Sequence, residues 1–301
     1  MSSVSSKNEI KADPQAPVAM KKRSQWVTVW KRLKRNKAAM VGLVILIILV
    51  FTAIFADVIA PYGYDDQALE NRLQTPSSQH IFGTDSFGRD IFSRVVYGSR
   101  VSLQVGFIAV GIGAVAGGTL GAIAGFYGDK LDNAIMRAMD ILLAIPSILL
   151  AISIVASLGT ELKYVMIAVG IGAIPGYARI VRASILTVRD QEFVEAARAV
   201  GTSDFRIIVK HIVPNAIAPI IVQVTLGVAG AILSAAGLSF IGLGIQPPSP
   251  EWGAMLSEGR QFLRYHPHVS TFPGLAIMVT IFALNLLGDG LRDALDPRLK
   301  D

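Results

Sequence analysis

The sequence predicts an all-α membrane protein with six transmembrane helices, and three observations carry that reading. Hydrophobic residues make up 52% of the 301 and charged residues only 17%, with a mean hydropathy of +0.52, a balance outside the ordinary soluble range. Apolar runs long enough to cross about 30 Å of hydrocarbon, which takes about 20 helical residues, stand at 39–60, 101–126, 134–158, 164–180, 216–240 and 271–288. Six spans also divide the basic residues unevenly: 21 of the 28 Lys and Arg fall on the side of both termini and seven on the other. That is the positive-inside asymmetry of a chain with both ends in the cytoplasm. The net charge of +6 therefore reads as topology, and a nucleic-acid footprint is the weaker account.

Along the chain, residues 1–20 are polar with no apolar period, the pattern of a disordered tail. Over 21–37, Trp26, Trp30 and Leu33 recur at helical spacing among eight basic residues. This predicts a helix lying in the cytoplasmic interface on aromatic anchors, so that 1–38 form a tail and an interfacial helix. The first span, 39–60, is too long for a signal-peptide core and no clean small-x-small cleavage site follows, which predicts a retained helix. An outward loop, 61–97 with its flank to Arg100, is rich in Pro, Asp, Gly and Ser and is expected to be ordered only in part. A core of five spans follows over 98–289, then a cytoplasmic tail over 290–301. In the second span Gly113, Gly117, Gly121 and Gly125 clear one stripe of the helix of side chains, which predicts close packing against a helix that the sequence does not identify. Pro146 in the third span and Pro175 in the fourth predict kinks. Gly170, Gly172 and Gly176 further interrupt the fourth, as membrane helices tolerate where neighbours shield the backbone.

Much chemistry is absent. No cysteine occurs, which excludes disulfides, thiolate metal sites and thiol catalysis. No GxxxxGK[ST] phosphate loop occurs, so the chain does not power itself. His80 and His211 stand alone in the sequence. His266 and His268 flank Pro267, and a two-residue step is poor geometry for a closed metal site, so no metal is expected. No nucleophile stands with a base, and no catalytic residue is expected. The apolar centres hold almost no ionisable group. Arg137 and Asp140, near the inner end of the third span, are spaced to pair at i, i+3, and Asp289 follows Asn285 by one turn in the sixth. An ion-coupled carrier is thereby disfavoured, and no inverted repeat is visible. Gln104, Ser153, Gln223, Thr225 and Ser234 are polar groups within spans that could line a pathway or equally bond to neighbouring helices.

Between the fourth and fifth spans runs a polar, amphipathic stretch, 179–215. A helix over 191–200 that ends on Gly201 in a left-handed C-cap, then a second short helix capped by Thr202 or Ser203, makes a compact knob. The small Ala196 and Ala197 leave room for another protein to close over it. Glu195-Ala196-Ala197, then Gly201 and Pro214 thirteen positions beyond it, carry the spacing by which the chain resembles the permease subunits of bacterial ABC importers. His211 and Val213 stand where Ile and Leu are usual, without changing the character of the second helix. FGTDSFGRDIFSRVVYGSRVSL over 82–103, LSFIGLGIQPPSPEWGAML over 238–256 and NLLGDGLRDALDPRLK over 285–300 narrow the resemblance to the peptide/nickel branch, in particular the C subunits of dipeptide and oligopeptide importers, nearly end to end from about Trp30.

That resemblance implies the type I ABC importer permease fold and a non-enzymatic half-channel for di- and oligopeptides, with glutathione or nickel as other cargoes of the same scaffold. It implies that Glu195, Ala196, Ala197, Gly201 and Pro214 couple to an ATPase. It implies no cofactor on this chain, with ATP and Mg on partner subunits. The partners it implies are a second homologous permease, two ATP-binding cassette ATPases, an extracytoplasmic substrate-binding protein and membrane lipid, at the bacterial cytoplasmic membrane. An ion-coupled carrier and a membrane anchor for a signalling complex are the alternatives of another class.

Overall fold

Helices dominate the described residues. A computed structural model describes residues 25–296, and among these described residues no strand forms beyond the isolated bridge between Thr84 and Asp90. The expected tail over 1–20, the basic Lys21, Lys22 and Arg23, and the terminal Arg298 and Lys300 lie outside the described residues.

α1 (Gln25–Arg35) exposes Trp26 and Trp30 and buries Leu33 against Ala39 and Ala294. Asn36 then separates it from α2 (Lys37–Ile54), accepting a hydrogen bond from the Ala39 N–H at 3.1 Å as a side-chain N-cap. Arg32 donates to the Asp296 carbonyl at 3.2 Å, so both described chain ends meet at one end of the bundle. α3 (Ala56–Ile59) is a single turn at the opposite, far end.

The segment over 61–90 carries local bonds of its own. Gly83 and Gly88 adopt φ of +77° and +74°, and the Thr84 hydroxyl donates to the Asn71 carbonyl and accepts from the Gln74 N–H. These local bonds satisfy backbone groups that a sequence reading assigns to solvent. α4 (Ile91–Tyr127) then starts ten residues before the apolar run, because the Asp90 carboxylate caps it at the Ser93 N–H, 2.7 Å away. Near its start Arg100 reaches back to the Ala53 carbonyl and the Asp57 carboxylate, and this guanidinium holds Asp57 below the usual carboxylate range.

The third apolar run is not one helix. α5 (Asp129–Ala144) and α6 (Ser147–Leu158) meet at an 84° bend. Pro146 supplies no N–H to continue the ladder and pushes Ile145 into extended backbone at φ −92°, ψ 123°. α7 (Leu162–Leu186), by contrast, passes through Pro175 without interruption. Two short helices follow, α8 (Glu192–Ala199) and α9 (Asp204–Ile207), then a π-helical turn (Ile208–Ile212) that leads directly into α10 (Val213–Phe240). α11 (Trp252–Gly259) folds back at the far end, and α12 (His268–Leu295) returns the chain to its start. Among the described residues five segments are long and apolar enough to cross a membrane, or six when the bent α5–α6 pair is counted as one span.

The main core is built where α4, α7 and α10 meet, from Val105, Ala109, Val110, Ala168, Val169, Val228 and Ile232. Small and β-branched side chains suit helices that approach this closely. A second apolar cluster joins Phe126, Val181 and Ile185 to the segment over 188–216 and fixes that segment to the bundle.

Candidate functional site

The polar stretch after α7 folds as a knob at the end of the bundle that holds both described chain ends. α8 is amphipathic: Val194 and Ala197 turn inward onto Ile185, Ile207 and Ile212, while Glu195 and Ala196 face out. Its end is a complete Schellman motif. The Gly201 N–H donates to the Arg198 carbonyl at 2.9 Å and the Thr202 N–H to the Ala197 carbonyl at 3.1 Å. Gly201 has φ +76°, and a Cβ built on it meets nothing within 4 Å. The backbone conformation, not crowding, is what asks for glycine here. Ser203 takes the N-cap position of α9 in extended backbone, but its side chain makes no capping bond.

Pro214 sits in the first turn of α10, exposed, just past the π turn. A proline there lacks the donor for the carbonyl of Lys210 and its ring crowds that carbonyl. The widened turn resolves both problems, since the Val213 N–H reaches back five residues to the Ile208 carbonyl. Ala197 is the one member of the predicted coupling set that turns inward; Glu195, Ala196, Gly201 and Pro214 lie on the knob surface.

Sequence reasoning missed the apolar part of that surface. Val200 and Phe205 are 80% and 77% exposed, with Phe193 nearby on the same knob. These side chains leave apolar surface on an otherwise charged segment. The signal was present in the sequence as Phe205 and Val200 out of phase with the buried Val194, Ala197 and Ile207.

Three contacts join the knob to the end of α4. Arg189 donates to the Gly125 carbonyl at 3.0 Å, the Arg198 guanidinium lies over the Phe126 ring at 5.2 Å, and the Tyr127 hydroxyl faces the Asp204 carboxylate. α7 is further tied to α5 by Arg182 with Asp132 and by Arg179 with Asp140 at 2.6 Å. The expected pairing of Arg137 with Asp140 is therefore corrected: the i, i+3 spacing permits it, but Arg179 of a neighbouring helix takes the carboxylate.

The four glycines of the predicted stripe in α4, Gly113, Gly117, Gly121 and Gly125, all face α7. A Cβ on Gly117 would stand 2.3 Å from the Ile174 carbonyl oxygen, and one on Gly121 2.3 Å from that of Ala178. Gly113 lies against Ala173 and Tyr177, and Gly125 against Ile185 and Arg182. Of the candidate pathway residues, Gln104, Ser153 and Ser234 are exposed along the helices, and Gln223 and Thr225 are half-buried on α10. Ser153 and Thr225 bond to carbonyls of their own helices at 2.9 and 3.0 Å, and the Tyr177 hydroxyl donates to the Gln223 carbonyl. His266 and His268 stand 5.9 Å apart, ring to ring, with planes nearly perpendicular. Among the described residues no group of three or more His, Asp or Glu is placed to hold a metal.

Comparison with known proteins gives concordant results. Residues 117–301 match the family model for the binding-protein-dependent transport system inner membrane component, and residues 24–76 match that for the N-terminal transmembrane domain of oligopeptide transport permease C. The chain is 53% identical over 277 residues to the dipeptide transport system permease protein DppC of Alkalihalophilus pseudofirmus, covering 92% of this chain and 91% of that one. It is 50% identical over 279 residues to the glutathione transport system permease protein GsiD of Escherichia coli, covering 92% of each. Among solved structures, an inward-facing MetNI methionine ABC transporter chain superposes with a TM-score of 0.56 at 20% identity, over 67% of this chain and 96% of that one. A chain of an amino acid ABC transporter gives 0.51 at 20% identity, over 69% and 95%. At that identity these two show the fold alone, that of a type I importer permease.

Proposed function

We propose, from the premise that this chain belongs to the family of binding-protein-dependent transport system inner membrane components, that it forms one half of the pathway of an ATP-driven importer for short peptides. Family membership makes it a multi-pass permease subunit of the inner membrane, not a member of a catalytic family, and the ion-coupled carrier alternative falls with it. The observation that carries the coupling role is the knob itself. The Glu195-Ala196-Ala197 helix and its Gly201 turn are fixed to the bundle by a buried cluster, while Glu195, Val200 and Phe205 remain uncovered. A partner ATPase, one of two that carry ATP and Mg, covers that surface, and its closure displaces the knob and the helices packed on it.

On this reading the knob and both chain ends lie in the cytoplasm, and the far end with the segment 61–90 faces outward toward a substrate-binding protein. The exposed Trp26 and Trp30 of α1 lie at the lipid interface, with the basic Lys31, Lys34 and Arg35 near the headgroups. A second, homologous permease completes the channel, and Gln104, Ser153 and Ser234, exposed on this chain alone, with Gln223 and Thr225, supply polar groups to the path. Glutathione is the second reading of the cargo, favoured by the 50% identity to a glutathione permease. A deletion strain tested for uptake of di-, tri- and tetrapeptides, glutathione and limiting nickel separates these cargoes. Loss of peptide uptake that returns with this gene supports the proposal, and loss of glutathione or nickel uptake alone overturns the peptide assignment.

A further inference from the structure

The far end of the bundle holds three buried charges, Asp85, Arg89 and Arg94, closed by a half-buried Glu258, that neither the fold nor the coupling knob accounts for. Arg89 and Arg94 are 2% and 1% exposed. Arg89 bonds to Asp85 at 2.6 Å and to both oxygens of Glu258 at 3.0 Å. Arg94 donates to Glu258 Oε2, which it shares with Arg89, at 3.2 Å, and to the carbonyls of Tyr64 and Pro248. The charges cancel, two against two. Such a quartet is a poor means of adding stability, since desolvation offsets much of the attraction and apolar residues often serve as well. What it does supply is fixed geometry: it ties together the segment 61–90, the first turns of α4, the connection after α10, and α11. Trp252, fully buried, reinforces the same junction by donating from its indole N–H to the Val95 carbonyl at 3.0 Å. Gly98 lets the Pro250 carbonyl lie against α4, where a Cβ would stand 2.3 Å from that oxygen.

α4 itself runs unbroken from this junction to the knob. Its 37 residues span about 55 Å at 1.5 Å per residue, contain no proline, and are stiffened along the glycine stripe by α7. At the inner end Arg189, Arg198 and Asp204 hold it to the knob, and at the outer end the quartet holds it to α11.

We propose that Asp85, Arg89, Arg94 and Glu258 form the outer anchor of the coupling path. As positioning residues, they make α11 and the outward segment move as one body with α4 when the knob is displaced. The inference rests on the ATP-driven importer reading. It adds to that reading how a displacement made in the cytoplasm reaches the outer mouth, because a rod transmits motion only to what is fixed to its far end.

The test uses the whole complex, this chain with its second permease and ATPases, reconstituted with the binding protein and alanyl-alanine or glutathione. Glu258→Gln keeps the shape and removes one charge from the quartet. Basal ATP hydrolysis should persist, while the increment evoked by loaded binding protein, and uptake per ATP, should fall by about tenfold; Glu258→Asp, which restores the charge, should recover most of both. A merely structural role would not separate basal from stimulated hydrolysis. In addition, spin labels at Glu70→Cys and Arg260→Cys, in this cysteine-free chain, should report one distance in nucleotide-free and vanadate-trapped parental complex, and a shifted or broadened one in Glu258→Gln. Stimulated hydrolysis and uptake at parental levels in Glu258→Gln, or a parental label distance that changes on trapping, overturns the proposal. If Glu258→Gln does not assemble, the parental distance decides alone. A parental complex that imports neither probe defeats the importer reading instead, which keeps the two failures distinct.

Discussion

Gly201 allows a graded perturbation, because its backbone and its surroundings make separate demands. Its φ of +76° is left-handed, yet an added Cβ meets nothing within 4 Å. Any loss on substitution is then backbone strain and not collision. A left-handed L-residue costs roughly 1–2 kcal/mol, and each 1.4 kcal/mol is about a factor of ten in an equilibrium. Alanine should therefore lower the ratio of formed to unformed turn by roughly 5- to 30-fold. Asparagine, which visits this region readily, should stay near the parent. Valine, β-branched, should be worst. The assay is substrate-stimulated ATP hydrolysis and uptake by the assembled complex, with each subunit quantified. The expected order is parent, asparagine, alanine, valine. Parental coupling by Gly201→Val at parental subunit levels would refute the reasoning. So would asparagine as damaging as valine, because that result means the position senses added bulk against a partner and not φ.

The remaining predictions concern packing, docking and topology. Gly117→Leu and Gly121→Leu should lower the amount of assembled complex and its melting temperature, since overpacking costs about 1–3 kcal/mol and here the obstacle is backbone. Gly118→Leu is the control, its Cβ being no closer than 3.9 Å to Val181, and equal loss in all three would contradict the assignment of the stripe to α7. Glu195→Lys should weaken retention of the ATPases on purification and more so at low salt; unchanged retention would remove Glu195 from the docking surface. Single cysteines at Ser77 and Arg264 should react with an impermeant thiol reagent in intact cells, and one at Ser203 only after lysis. The reverse pattern would overturn the orientation.

What the sequence made legible follows from how local the physics is. The membrane segments could be read from composition because hydrocarbon demands about 20 apolar residues in a row. The left-handed turn at Gly201 could be read because a C-cap depends on one residue and its immediate neighbours. The glycine stripe announced a close contact but not its partner, since Ile174 and Ala178 carry no mark that selects α4. Pro146 and Pro175 look alike in sequence, yet only the first ends a helix. The difference lies in what surrounds them: Pro175 is buried inside the bundle and Pro146 is exposed. The outer quartet was not legible at all. Glu258 lies 169 residues from Arg89 and 164 from Arg94, so a segment that reads as a polar loop is in fact fixed by partners that only the fold brings near.

The central claim is that this chain turns ATP hydrolysis by its partners into movement of a peptide across the membrane. Proteoliposomes with the second permease, the ATPases and the binding protein, prepared with and without this chain, test it most directly through accumulation of labelled alanyl-alanine or glutathione upon addition of ATP. The account predicts accumulation against a gradient that needs ATP, the binding protein and this chain together, and no ATP hydrolysis by this chain alone. Equal accumulation when this chain is left out, or uptake by this chain alone driven by an ion gradient without ATP, would contradict it.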